Sequence, residues 1–370
     1  MIKLLHAADF HLDSAFSSLH PEKAAARRRE QRSALEQLAA LCADCDLVLL
    51  SGDLFDSARI YRDTLDALKR FFAAVHAEIF IAPGNHDYLS QGSPYLTEDW
   101  GEHVHIFTAQ TIERVRLERC DVYGAGFTAQ EMPPMLDGFR VEDPDRLNLM
   151  VLHGDLQANS VYNYISAEAI AASGLDYLAL GHIHKAEVRK FGKTVCAWPG
   201  CLMGRGFDEC GEKGVYKVTL DEKDCRTEFI LLHTRKYENL SVEAGDDPLA
   251  AINAALPAQT EDDCYRIILT GESDAIDLPA LESALAPRFY SLSVRDCTVP
   301  KQGLWAAAGD DTLRGHFLRD LKEQYDTADE AQQRKLAAAA KLVTALMDGR
   351  EVALLSFEEC APPSANSTGS

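Results

Sequence analysis

Short apolar runs recur through the first half of the chain, and each closes on glycine or on carboxylate, amide and imidazole side chains. Leu47–Leu50 is one such run and residues 79–82 are another. Between them, residues 62–76 carry Leu65, Leu68, Phe72 and Val75 at helical spacing. This pattern predicts two buried parallel strands joined by a crossover helix. Residues 2–8, 122–127, 147–152 and 177–180 read as further buried strands. Residues 21–43 read as a helix with Pro21 in its first turn and Leu35, Leu38, Leu41 and Cys42 on its apolar face. A short helix over 166–172 is closed by Gly174, and residues 132–145, with Pro133, Pro134 and Pro144, read as loop. Gly214–Leu220 and residues 226–232 alternate like strands around a turn at 221–224, which predicts a hairpin.

After residue 234 the pattern changes. Residues 234–247 are polar and end in Gly245, Asp246, Asp247 and Pro248, so a domain boundary is expected near 236. Helices over 249–256 and Leu278–Leu285 and strands over 265–270 and 290–296 predict a small α+β unit spanning 236–304. A C-terminal helical segment is expected over 305–360, with its helices between 310 and 347. Leu313, Phe317, Leu321 and Tyr325 form one apolar stripe, which is either packed on its own domain or open to a partner. Residues 327–330 fit a capping box at the start of a second helix, carrying Leu336, Leu342, Val343 and Leu346 and ended by Gly349. Residues 361–370, rich in Pro, Ser, Asn and Gly, are expected to be a disordered tail.

The composition is that of an ordinary soluble protein, with 46% hydrophobic and 26% charged residues. No apolar run is long enough to span a membrane, and residues 1–11 have no signal-peptide pattern, so a cytoplasmic location is expected. The ten cysteines are scattered. Cys42 and Cys45 have CxxC spacing but no second pair, and they read as ordinary reduced thiols. The formal net charge of −21 repels nucleic acid at long range, although it leaves room for a local basic groove. Arg27, Arg28, Arg29 and Arg32 form the densest basic cluster, either a solvated helix face or a contact to a DNA backbone.

The strand ends carry the chemistry. Asp9 and His11 flank Phe10, and alternation lets both point the same way as ligands of one ion. Gly52-Asp53 and Gly84-Asn85-His86-Asp87 end the two central strands, where groups converge in one crevice in open α/β sheets. Asp53 reads as a carboxylate bridging two metals, with Asn85 on one of them. His86 faces the mouth of the site and suits proton transfer near neutral pH. Asp87 either orients His86 or caps the following segment. His153 ends the strand over 147–152, and His182 and His184 alternate around Ile183 after Gly181. Carboxylate, amide and imidazole donors without thiolate suit Mn²⁺ or Fe²⁺ better than a closed structural zinc site.

This ordered set of motifs resembles the calcineurin-like metallophosphoesterases over roughly residues 1–235. The stretches HLDSAF, GDLFDS and WPGCLMGRGFDECGEKGV are similar to those of the SbcD-type DNA repair exonucleases, and of their YhaO-like branch in particular. The resemblance implies an α/β core of two packed β-sheets flanked by helices, a four-layer arrangement, with a small α+β capping domain that helps select DNA shape. It implies one metal on Asp9, His11 and His184, a second on Asn85, His153 and His182, and Asp53 between them. Manganese is the metal expected, with Fe²⁺, Mg²⁺ and Zn²⁺ as alternatives. His86 would protonate the leaving oxygen or stabilise the transition state. The reaction implied is two-metal hydrolysis of DNA phosphodiesters, in partnership with an SbcC-like coiled-coil ATPase and with a homodimer possible. Two other readings stand beside it: a phosphatase or phosphodiesterase of small molecules, which suits the acidic balance, and a DNA-end-binding scaffold.

Overall fold

The computed structural model describes residues 1–349 except 58, 222, 275, 300 and 302. The expected tail over 361–370 therefore lies outside the described residues. The chain divides into two compact units, one over Met1–Thr234 and one beginning at Arg235.

In the first unit, β1 (Ile2–Ala7), β2 (Leu47–Leu50), β3 (Glu78–Ile81) and β4 (Val104–Ile106) run parallel in one sheet. β5 (Glu113–Arg116), β6 (Cys120–Gly124), β7 (Leu147–His153), β8 (Tyr177–Gly181), β9 (Glu187–Phe191) and β10 (Thr194–Trp198) make a second sheet in the order β5-β6-β7-β8-β10-β9. The hairpin β11 (Gly214–Leu220) and β12 (Cys225–Leu231) returns to the first sheet, where β11 lies antiparallel to β1. That sheet is completed in the order β12-β11-β1-β2-β3-β4.

Pleating sorts the side chains of β1 to β3 between two cores. Leu5, Ala7, Val48, Leu50, Ile79 and Ile81 face α1 (Pro21–Leu41) and α2 (Arg62–Ala74), meeting Leu35, Leu38, Leu68 and Phe72. The alternate residues Leu4, Leu49 and Phe80 meet Leu149, Val151, Tyr177 and Ala179 of the second sheet. On that sheet's far face, Met150, Leu152, Leu178 and Leu180 pack with Ile170 of α4 (Ala167–Ser173). A one-turn helix, α3 (Pro94–Thr97), lies between α2 and α4 in the chain. The result is helix, sheet, sheet, helix, and the central runs are apolar without alternation because both of their faces are covered.

In the second unit, β13 (Tyr237–Glu243), β14 (Cys264–Thr270) and β15 (Ser291–Asp296) form a parallel three-stranded sheet, with α5 (Pro248–Ala255) and α6 (Leu278–Leu285) as crossovers. The sequence pattern predicts two strands here and not three. Residues 234–247 read as polar in the sequence because the strand within them buries only Tyr237 and Val242, whereas Ser241 and Glu243 are exposed. Beyond α7 (Gly303–Ala306) come α8 (Leu313–Tyr325) and α9 (Glu330–Met347). The cap of α9 is Asp329, which accepts from the Gln332 amide, and not Thr327. The apolar stripe of α8 is mostly turned inward. Phe317 and Leu321 pack on Leu318, Ala308 and Ala340, and Tyr325 meets the ring of Trp305. Leu313 is the stripe residue left in solvent, at 79% exposure.

Candidate metal centre

The central strands of both sheets stop at one edge of the sandwich, and the loops that follow them meet there. Asp9 and His11 follow β1, Asp53 follows β2, Asn85 and His86 follow β3, His153 closes β7, and His182 and His184 follow β8. Three sets of donors each lie within 4.8 Å of one another: Asp9, His11 and His184; Asp9, Asp53 and His153; and His11, Asp53 and His86. Nε2 of His11 is 3.1 Å from Nε2 of His184. On the other side, Oδ1 of Asn85 is 2.8 Å from His153 Nε2 and 3.2 Å from His182 Nδ1. Oδ2 of Asp53 stands between the two sets, 3.8 Å from His11 Nε2 and 3.5 Å from His153 Nε2.

The route to this geometry differs from simple strand alternation. β1 ends at Ala7 and β8 at Gly181, so the flanking ligands are not on extended backbone. Asp9 (φ 52°), His11 (φ 44°), Asp53 (φ 51°) and His182 (φ 90°) all occupy the left-handed region. Such conformations cost about 1–3 kcal/mol each for residues other than glycine and persist where the surroundings enforce them. Here the surroundings are backbone hydrogen bonds between the loops, from Asp9 N to Gly52 O (3.0 Å) and from His11 N to Asp53 O (2.9 Å). Glycine is required beside the ligands. A Cβ on Gly52 would lie 2.6 Å from His153 Nδ1, and one on Gly84 would lie 2.2 Å from Asp53 Oδ1.

The site's electrostatics fit a cation. Asp9 and Asp53 are both buried. Burial, and then the neighbouring Asp53 charge, push the Asp9 carboxyl well above its usual range. Burial would raise Asp53 too, but His153, His11 and His86 outweigh it and bring the group to about 2. Burial draws His11 and His153 each down to about 4, so both imidazoles are neutral at pH 7 with lone pairs free for a ligand role. Clustered lone pairs and two close carboxylates, with few donors to satisfy them, are what a pair of divalent ions would neutralise.

Behind these ligands lies a layer that the sequence reading did not assign. His184 Nδ1 is 2.8 Å from Glu209 Oε1, and His11 Nδ1 is 3.2 Å from Asp56 Oδ1. Arg205 joins the two carboxylates, donating to Asp56 at 2.8 Å and to Glu209 at 2.6 Å. Burial would raise Glu209, yet the hydrogen bonds from His184 and Arg205 hold it well below the carboxylate range. His182 Nε2 is 3.3 Å from Asp155 Oδ2, and His153 Nδ1 lies 2.8 Å from the Ser51 carbonyl oxygen. Such partners set the tautomer and ring orientation of metal-ligating histidines. The signal was within reach, because Asp56, Arg205 and Glu209 lie inside the stretches GDLFDS and WPGCLMGRGFDECGEKGV.

His86 is the exposed imidazole of the group. Its ring meets His11 edge-on with centroids 4.8 Å apart, and its amide donates to Asp53 Oδ1 at 2.9 Å. Asp87, expected either to orient His86 or to cap the following segment, bonds to the loop after β2 and to Tyr95. Its carboxylate accepts from the amides of Gly84 (2.7 Å) and Leu54 (2.7 Å) and from the Tyr95 hydroxyl (2.5 Å). It fastens the loop after β3 to the loop after β2, and its oxygens are used up in doing so. Burial and the Asp53 charge raise it to about 6.

The arginine cluster of α1 is also engaged. Arg27 is fully buried, donating to Glu30 at 2.5 Å and to the Gly204 carbonyl at 2.9 Å. Arg32 is held by Thr64 and Asp13. Arg29 is exposed.

Two six-stranded sheets with such a cluster at their strand ends fit the metallophosphoesterase fold. The family profile for calcineurin-like phosphoesterase matches residues 2–186, and the chain belongs to that family. The uncharacterized metallophosphoesterase YhaO of Bacillus subtilis (strain 168) is 30% identical over 364 residues, covering 89% of this chain and 88% of its own. Two solved structures align in part. The protein TT1561 of Thermus thermophilus has 16% identity and a TM-score of 0.38, over 62% of this chain and 98% of that one. A novel archaeal phosphodiesterase has 16% identity and a TM-score of 0.36, over 62% and 100%. Among the described residues no helix is long and apolar enough to cross a membrane.

Proposed function

We propose that the chain is a Mn²⁺-dependent two-metal phosphodiesterase whose substrate is DNA, a nuclease of the double-strand-break repair type that works with a coiled-coil ATPase. The observation that carries the two-metal reading is the Asp53 carboxylate standing between two histidine sets, within 3.8 Å of His11 Nε2 and 3.5 Å of His153 Nε2. Asp9, His11 and His184 would hold one ion and Asn85, His153 and His182 the other, with Asp53 shared. When bound, such a pair supplies the charge that lowers the pKa of a water and neutralises the phosphate oxygens. The chain's own residues do the rest. Glu209, Asp56 and Arg205 orient the imidazoles of His184 and His11, and His86 gives a proton to the departing oxygen at the mouth of the site.

The support for DNA is the resemblance of GDLFDS and WPGCLMGRGFDECGEKGV to the repair nucleases, now seen to supply the Asp56, Arg205 and Glu209 network. A hydrolase of small phosphodiesters is the second reading, and the net charge of −21 with Arg27 and Arg32 already engaged favours it. The capping role of the second unit and the docking of an ATPase near residues 310–347 belong to the DNA reading. The test is hydrolysis of linear duplex DNA and of bis(4-nitrophenyl) phosphate by the purified chain with Mn²⁺. Turnover of both is expected, the DNA reaction being weak and salt-sensitive until the ATPase is added. Turnover of the small ester alone, with the ATPase present, would select the second reading. No Mn²⁺-dependent turnover of either would overturn the two-metal reading.

A further inference from the structure

Beside His86 the first unit holds a cavity of about 290 Å³, at the small end of the ~300–1,000 Å³ typical of ligand sites. It opens on Asn85 and His86, so whatever fills it touches the metal centre. Phe55, Ile60, Tyr88 and Pro94 give it apolar and aromatic walls. The described residues lining it include no lysine or arginine. Of its two acids, Asp56 is bound to Arg205 and Asp87 to backbone amides. An anionic group would therefore find no counter-charge there.

One polar group in the wall is without a partner. Ser93 is 4% exposed and lines the cavity, yet its hydroxyl makes no hydrogen bond among the described residues; the oxygen is closed to solvent, so it meets a ligand only after rotation about the Cα–Cβ bond. Ser93 precedes α3, where a serine hydroxyl commonly caps the helix, but here it does not. A buried hydroxyl left unpaired costs about 1–3 kcal/mol, and a ligand that pairs it recovers this. Tyr88, 37% exposed on the same wall, presents a ring of the kind on which flat heterocycles stack.

We propose that this cavity is the leaving-group subsite and that it takes one uncharged nucleoside, esterified to the phosphate at the metal centre. The heterocycle lies against Tyr88, the Ser93 hydroxyl bonds a polar edge, and the departing oxygen falls beside His86. The volume holds one nucleoside, and the remainder of a longer substrate would lie outside the cavity. This rests on the phosphodiesterase reading above.

Thymidine is the probe. Saturation-transfer NMR of the chain without added metal is expected to show thymidine contacts that weaken roughly tenfold in Tyr88→Ala. In Ser93→Ala, whose lost hydroxyl has no partner in the fold, they are expected to weaken roughly fivefold. With Mn²⁺, the ratio of kcat/KM for thymidylyl-thymidine to that for methyl 4-nitrophenyl phosphate should fall by the same factors. No thymidine contact with the wild-type chain, or an equal fall on both substrates, would overturn the subsite. Failure of the wild-type chain to hydrolyse either substrate would count against the phosphodiesterase reading alone, because the NMR result decides the subsite independently.

Discussion

Oε1 of Glu209 lies 2.8 Å from Nδ1 of His184, while Nε2 of the same ring lies 3.1 Å from Nε2 of His11. One edge of the imidazole is anchored to a carboxylate, and the other is left for a ligand role. Glu209→Gln keeps the shape but removes the negative charge that faces Nδ1 of His184. It is expected to weaken metal uptake by roughly 10–100-fold at one of the two sites, the usual scale for such partners. Calorimetric titration with Mn²⁺ would resolve two classes of site in the variant. Two unchanged affinities would show that Glu209 serves only packing.

Asp53 is the carboxylate within reach of both histidine sets. Asp53→Ala is expected to lose both ions and all hydrolytic activity, because each site loses its shared ligand. Metal analysis by mass spectrometry checks this, and two ions retained per variant chain would remove Asp53 from the bridging role.

His86 is exposed, and its amide is already tied to Asp53 Oδ1. His86→Asn is expected to retain both ions while slowing turnover by roughly 10²–10⁴, the range for a lost general acid or base. The donor grouping of His11, Asp53 and His86 makes the metal content of this variant decisive. An ion lost with the side chain would make His86 a ligand.

His6 gives a pH dependence apart from the ligands. It is fully buried between the sheets, bonded to the Tyr177 hydroxyl (2.9 Å) and to Ser51 Oγ (3.0 Å). Burial lowers it from 6.5 to about 3. As the pH falls below 6.5 the unfolded chain takes up this proton and the folded chain does not. The His6 contribution to stability is therefore full above pH 6.5 and is lost as the pH falls toward 3, by up to about 1.4 kcal/mol per pH unit. His6→Gln is expected to be less stable than wild type at about pH 7, with the gap closing toward about pH 4. Urea unfolding across that range would show it, and a constant gap would contradict it.

Much of the phosphoesterase core is legible in the sequence, because its strands are short apolar runs covered on both faces and their ends carry rare groupings of Asp, Asn and His. Residue type and order alone mark Asp9, His11, Asp53, Asn85, His153, His182 and His184 as one chemical set. The edge strand Tyr237–Glu243 was not legible, because a half-solvated strand lacks that run of apolar residues.

What the sequence determined by itself, then, is which residues are ligand types and that they close successive buried strands, since both follow from local pattern. What only the tertiary structure decided is where each side chain goes. Asp9 and His182 are aimed by left-handed backbone that loop-to-loop hydrogen bonds enforce, not by strand alternation. Asp87 is consumed by an amide 33 residues away in sequence, and Arg27 by a carbonyl of the Gly204 loop. Arg205 and Asp56 meet across 149 residues of chain. Contacts of that range depend on how two sheets stack, and no window of sequence contains both partners.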